Sequence, residues 1–184
     1  MKIAVFGSNA RAVAIGKLLA DAGYHLCFGD AGGAGGAEAA AQQAGGVADT
    51  PYNDATACEM LIFAGSRAEL DDLLAATGPL SPGAVVVDAM EGTDGEGPEL
   101  LAHKLDTYRV VRALIMAPQV NATIPYCGDD ADAMTLFEEV FRTAGYLTAY
   151  RGPLAKAGEI TLPGSATTGE AEFKSIKSTN AVSS

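Results

Sequence analysis

At 184 residues with 48% hydrophobic side chains, the chain suits one compact domain with a sizeable core, and this composition excludes wholesale disorder. Its formal net charge of −11 argues against nucleic acid or an anionic membrane as a partner, since neither attracts an acidic surface. Cys27, Cys58 and Cys127 are scattered, with only His25 and His103 as other soft ligands, so neither a metal site nor a disulfide framework is expected, and buried apolar packing is the thiols' expected role. No apolar run reaches the ~18 residues that crossing a bilayer requires. No charged leader precedes an apolar run, so the default compartment is a reducing cytoplasm.

The first thirty residues organise the rest. Lys2-Ile3-Ala4-Val5-Phe6 reads as a strand, Gly7-Ser8-Asn9 as a tight turn, Ala10 to Ala22 as an amphipathic helix, and Gly23 as its stop. Tyr24 to Gly29 is a second strand ending at Asp30. This is the order of a nucleotide-binding βαβ unit, with a phosphate on the helix N-terminus and an acidic residue for the ribose hydroxyls. The fingerprint positions are Gly7, Ser8, Asn9, Ala10, Arg11 and Ala12. Asn9 stands where a second glycine would let the backbone approach a pyrophosphate, although Asn enters left-handed conformations more readily than most residues. Arg11 is the cation nearest the phosphate position; a solvated helix residue is the competing reading. The helix is expected to bury Val13, Ala14, Leu18 and Ala22, with Ile15 and Leu19 widening the stripe.

A glycine run (Gly32-Gly33-Ala34-Gly35-Gly36) leads into a helix to Ala44, and 45–57 reads as a short third strand and a turn of helix. Glu59 to Ala64 is a buried strand ending at Gly65-Ser66. There a helix through Ala75 starts with a capping box, Ser66 and Glu69. After Pro79 and Pro82-Gly83, Ala84 to Asp88 is the next strand, followed by a loop of small and acidic residues and a helix near Pro98 to Lys104. The chain then runs through Tyr108 to Leu114, Ile115 to Asn121 and Ala122 to Cys127, and Tyr146 to Tyr150 is a last strand. Asp129 or Asp130 caps a helix to Ala144 that turns Ala133, Phe137, Val140, Phe141 and Ala144 inward. Continuous apolar strands alternating with helices mean an α/β fold: a three-layer, doubly wound, mainly parallel sheet of the Rossmann-like kind. The domain is expected to span 1–163. Residues 164–184 form a polar tail that cannot bury enough area to order itself unless Phe173 and Ile176 dock on a neighbouring subunit.

The residues K-I-A-V-F-G-S-N, F-G-D, L-I-F-A-G-S, V-V-V-D-A, V-V-R-A-L, P-Y-C-G-D-D-A-D-A and G-P-L-A-K-A-G together resemble the small NADP oxidoreductases that exchange hydride with the deazaflavin coenzyme F420. The resemblance runs from about Met1 to Pro163 and implies a Rossmann-like reductase. It fails at the strand tips. Family members carry glycine at Asn9, a Ser-Arg pair at Asp30-Ala31, and an apolar residue and proline at Gly65-Ser66. They carry Thr-Asn-Pro at Met90-Glu91-Gly92 and Phe-Asn-Thr at Leu114-Ile115-Met116, and the tail lacks their apolar closing helix.

Two readings follow. In the first, the chain is an oxidoreductase using NAD rather than NADP, because Asp30 suits a free 2'-hydroxyl and would repel a 2'-phosphate. Gly7, Ser8, Asn9, Ala10, Arg11, Asp30, Ala64, Gly65 and Ser66 would hold the cofactor. Asp88, Met90, Met116, Pro118, Gln119 and Asn121 would line a small-molecule substrate site, with Glu91 as proton donor if burial raises its pKa. Helix cap, strand-end turn and solvated loop acid are the competing roles of Ser66, Asp88 and Glu91. In the second reading the crevice survives without the cofactor, in an isomerase, cyclase, lyase or ligand-binding protein with Tyr126 among its walls. A noncatalytic subunit docking through its tail is a third, and a homodimer is expected for a domain this small. No Ser-His-Asp arrangement is readable, and the sequential acid pairs Asp71-Asp72, Asp129-Asp130 and Glu138-Glu139 suit solvated faces.

Overall fold

A computed structural model of the chain describes residues 1–45, 48–49, 57–91, 96–115 and 122–160. Eight strands form one sheet: β1 (Lys2–Phe6), β2 (His25–Gly29), β3 (Ala48–Asp49), β4 (Met60–Phe63), β5 (Val85–Asp88), β6 (Val110–Ala113), β7 (Thr123–Gly128) and β8 (Leu147–Tyr150), in the order 3-2-1-4-5-6-7-8. Every neighbouring pair is parallel except β6 and β7, which run antiparallel with Ala113 opposite Tyr126. Pro125, which has no N–H for a ladder, lies one residue beyond the β6 pairing.

Helices cover both faces, as a parallel sheet requires. On one face α1 (Ala10–Asp21), α2 (Ala34–Ala44) and α5 (Ala131–Thr143) pack through Ile15, Leu19, Ala40, Phe137 and Phe141. On the other, α3 (Leu70–Ala75), α4 (Glu96–Lys104) and a 3-10 turn at Leu154–Glu159 contribute Leu70, Leu73, Leu101 and Leu154. The doubly wound α/β reading holds, and β1 sits at the reversal of strand order, where ligands of open sheets bind.

The buried stripe of α1 differs from the expected one: Ala12, Ile15, Gly16 and Leu19 are buried, whereas Val13 and Leu18 are only partly so. Phe28 is the reason, since its ring lies where a Cβ on Gly16 would fall, and the helix turns its glycine toward β2. In α5 the expected inward residues Ala133, Phe137, Val140 and Phe141 are buried, Ala144 lies partly buried beyond the helix end, and Asp130 is the cap, its Oδ1 accepting the Ala133 N–H at 2.8 Å. No helix among the described residues is long and apolar enough to cross a membrane. The polar tail lies outside the described residues.

Candidate functional site

The site is built where the carboxyl ends of β1, β2, β4 and β5 converge. Gly7, with φ 126°, turns the chain out of β1, and its N–H donates to the Gly29 carbonyl at 2.8 Å. A Cβ there would fall 2.7 Å from the Gly65 nitrogen, so the β1 turn and the end of β4 touch backbone to backbone. Gly65 in turn backs onto Leu73, 2.6 Å from where its own Cβ would lie. Glycine at 7 therefore serves both a conformation closed to other residues and a close approach.

Asn9 does not use the left-handed tolerance anticipated for it. Its backbone is extended (φ −70°, ψ 168°) and it is the N-cap of α1, with Oδ1 accepting from the Ala12 N–H at 2.9 Å. Its Nδ2 donates to the Ala64 carbonyl at 2.9 Å, so the same carboxamide fastens the turn to β4. A helix leaves four N–H groups without intrahelical partners. Asn9 Oδ1 takes the Ala12 N–H, while the Val13 N–H makes the first regular intrahelical bond, to the Asn9 carbonyl. The donors left for an incoming anion are those of Ala10 and Arg11, on a turn where Ser8, Asn9 and Ala10 are exposed.

Asp30 closes β2 as expected and is 9% exposed. Its Oδ2 accepts the Gly32 N–H at 2.9 Å, and among the described residues it forms no ion pair. The carboxylate lies where a Cβ on Gly36 would fall, so the glycine run at the start of α2 makes room for it.

Beneath the tips of β4, β5 and β6 lies a buried ionic cluster that sequence reading did not assemble. Asp88 is fully buried. Its Oδ2 accepts from Arg67 Nη2 at 2.7 Å, and its Oδ1 accepts from Arg112 Nη1 at 3.0 Å and from the Met90 N–H at 3.1 Å. Arg112 Nη1 also donates to the carbonyl oxygens of Asp88 at 3.3 Å and Met90 at 2.8 Å. Burial pushes the Arg112 guanidinium below its ordinary pKa against the opposing pull of Asp88. The Arg67 guanidinium lies against α4, in the space a side chain on Gly97 would need. One signal was available: a lone arginine in the apolar strand Val110-Val111-Arg112-Ala113 must have a partner if that strand is buried.

The other candidates divide. Arg11 bridges the strand tips, Nη1 donating to the Ala89 carbonyl at 3.2 Å and Nη2 pairing with Glu91 at 2.8 Å. The Glu91 side chain is 72% exposed, so the burial on which its role as proton donor was conditioned is not there. Ser66 is exposed and completes the capping box with Glu69. Ala64 and Met90 are fully buried. Tyr126 donates its hydroxyl to Glu138, and burial followed by that bond pushes its pKa well up. Met116, Pro118, Gln119 and Asn121 lie outside the described residues. Among the described residues no group of three or more His, Cys, Asp or Glu side chains could hold a metal ion.

Residues 2–92 match the family model described as NADP oxidoreductase, coenzyme F420-dependent, and the resemblance read from the sequence holds over that stretch. No curated protein sequence matches the chain. Among solved structures, a hypothetical protein, SMa0349, from Sinorhizobium meliloti is 19% identical with a TM-score of 0.73, covering 89% of this chain and 91% of its own. A candidate F420-dependent NADP reductase from Arthrobacter sp. FB24 is 18% identical with a TM-score of 0.68, covering 86% of this chain and 88% of its own. A reductive aminase from Aspergillus terreus, solved with NADPH and ethyl-5-oxohexanoate, is 24% identical with a TM-score of 0.65 over 84% of this chain. This chain spans 56% of the aminase's length. These likenesses establish the Rossmann-like fold.

Proposed function

From the match of its first half to the coenzyme F420-dependent NADP oxidoreductase family, we propose that this chain is a nicotinamide-dependent oxidoreductase acting on a small molecule, with NAD preferred to NADP. The observation that carries the preference is Asp30, a carboxylate at the end of β2 with no ion pair among the described residues. A second negative charge about 4 Å away would be opposed by about 4 kcal/mol at an effective dielectric near 20. Screening at a partly open site reduces that to roughly 1.5–3 kcal/mol, or about ten- to a hundredfold in affinity.

The residues present suit the adenosine and phosphate half of a dinucleotide. The Ala10 and Arg11 N–H groups, at the turn Gly7 shapes, would receive the pyrophosphate, with Ser8 and Asn9 beside them and Arg11 as the nearest cation. Asp30 would accept from a ribose hydroxyl, and Ala64, Gly65 and Ser66 would line the wall from β4. The nicotinamide would supply the hydride, leaving the protein to orient it and to exclude water. The substrate would lie over the segment after β5 and the segment 116–121, with Glu91 as a polar contact.

Titration of the chain with NADH and NADPH, by calorimetry or cofactor fluorescence, tests this. NADH is expected to bind about tenfold or more tightly than NADPH. Tighter NADPH binding would overturn the reading of Asp30. A second reading, a crevice reused without the cofactor, is favoured by one feature: Asn9 occupies with its own carboxamide a helix N-H that a phosphate could otherwise take. Silence from both nucleotides in the native chain and in Asn9→Gly alike would select it.

A further inference from the structure

Cys27 and Cys58 are 31 residues apart in the chain, yet their sulfurs lie 3.2 Å from each other in the core beneath α3 and α4. Cys27 projects from β2 toward that face, three residues before Asp30, and Cys58 lies two residues before β4. They meet in the same apolar cluster as Ala4 of β1, the strand between them, whose small side chain leaves the space. Both are buried, at 2% and 0% exposure. The two sulfurs stand 3.2 Å apart, closer than ordinary apolar packing requires, and a bond of about 2.05 Å needs a further approach of only about 1 Å.

We propose that Cys27 and Cys58 form a redox modification site, closing to an intramolecular disulfide on reaction with a low-molecular-weight disulfide such as oxidised glutathione. Cys58 is the entry point, because the residues on either side of it, Ala57 and Glu59, are exposed and a local opening there presents the thiol to solvent. The Cys58 thiolate attacks one sulfur of the oxidant, forming a mixed disulfide and releasing one glutathione thiolate. The Cys27 thiolate then attacks the Cys58 sulfur and displaces the second. Two protein thiols lose two electrons and two protons, and one oxidised glutathione becomes two reduced. The product ties β2, which ends at Asp30, to the segment entering β4, across the intervening β1.

Cys127 supplies the internal control. It is buried on β7, and burial followed by the carboxylates of Glu159 and Asp129 pushes its thiol pKa up, which disfavours its thiolate. The full folded chain is incubated with oxidised glutathione in native buffer, quenched in acid, denatured and alkylated. Expected are a loss of about 2 Da before alkylation, from two hydrogen atoms, a single alkylated thiol at Cys127, a peptide joining 27 to 58, and reversal by dithiothreitol. Cys27→Ser should stop at a glutathione adduct on Cys58, while Cys58→Ser should take up little. Three alkylated thiols, a link that includes Cys127, or cross-linking only in denaturant would overturn the proposal. The wild-type mapping decides even if either serine variant fails to fold.

Discussion

Replacing Asp88 by asparagine is the sharpest test of how the strand tips are held. The change keeps shape and one acceptor but removes the single negative charge between two guanidinium groups at 2.7 and 3.0 Å, one of them on an Arg112 side chain that is 4% exposed. Breaking a buried pair by removing one partner costs about 3–5 kcal/mol, because the remaining charge stays desolvated. For a domain of this size that lowers the melting temperature by roughly 6–20 °C, at about 2–4 °C per kcal/mol. The chain has no tryptophan, so urea unfolding is followed by circular dichroism. Asp88→Asn combined with Arg112→Leu should be less destabilised than the sum of the two single changes, by about 1–3 kcal/mol. A single-variant loss below about 1 kcal/mol, or additivity in the pair, would refute the view that this cluster is a coupled unit.

Two further outcomes are expected. Gly36→Ala should favour α2 by up to about 1 kcal/mol in intrinsic propensity, yet its methyl occupies the space of the Asp30 carboxylate. NADH affinity should therefore fall while the melting temperature changes little, and an unchanged affinity would show that Asp30 does not face the cofactor. Tyr126 has a folded-state pKa above its unfolded one, through burial and its bond to Glu138, so the stability it contributes is complete below about pH 10 and lost as pH rises through the folded value. The stability gap between the native chain and Tyr126→Phe should be flat to about pH 10 and shrink above it. Tyrosinate absorbance showing all six tyrosines ionised in the folded chain would contradict this.

Much of the scaffold was legible because its signals are local. Val85-Val86-Val87 can only be a covered strand, Ser66 and Glu69 form the expected capping box, and α5 buries four of its five expected residues. What escaped depends on contacts between distant elements. The rotation of α1 is set by Phe28 against Gly16, and no periodicity within the helix reports a ring on the next strand. The reversal of β7 is equally silent, since an apolar run carries no direction. Asp88 was singled out, but its partners lie 21 and 24 residues away on separate elements, and only the fold brings them to one carboxylate.

The strand tips are not a damaged site left unrepaired. Asn9 caps α1 and grips Ala64, Arg11 holds Ala89 and Glu91, and Asp88 answers both Arg67 and Arg112. A buried polar group without a partner costs about 1–3 kcal/mol, so a crevice that had merely lost its ligand would be left with several such costs. This crevice has instead closed several of its hydrogen bonds within the protein. A ligand entering here gains only the difference between its own contacts and those already made. Arg11 can serve an anion only by leaving Glu91 or by sharing itself, and an added phosphate at the α1 N-terminus meets two N–H groups where an uncapped turn would offer three. Dinucleotide affinity should accordingly be weaker than an uncapped turn would give, and selectivity should rest on Asp30, whose carboxylate is held at the end of β2 by the Gly32 N–H with no ion pair among the described residues.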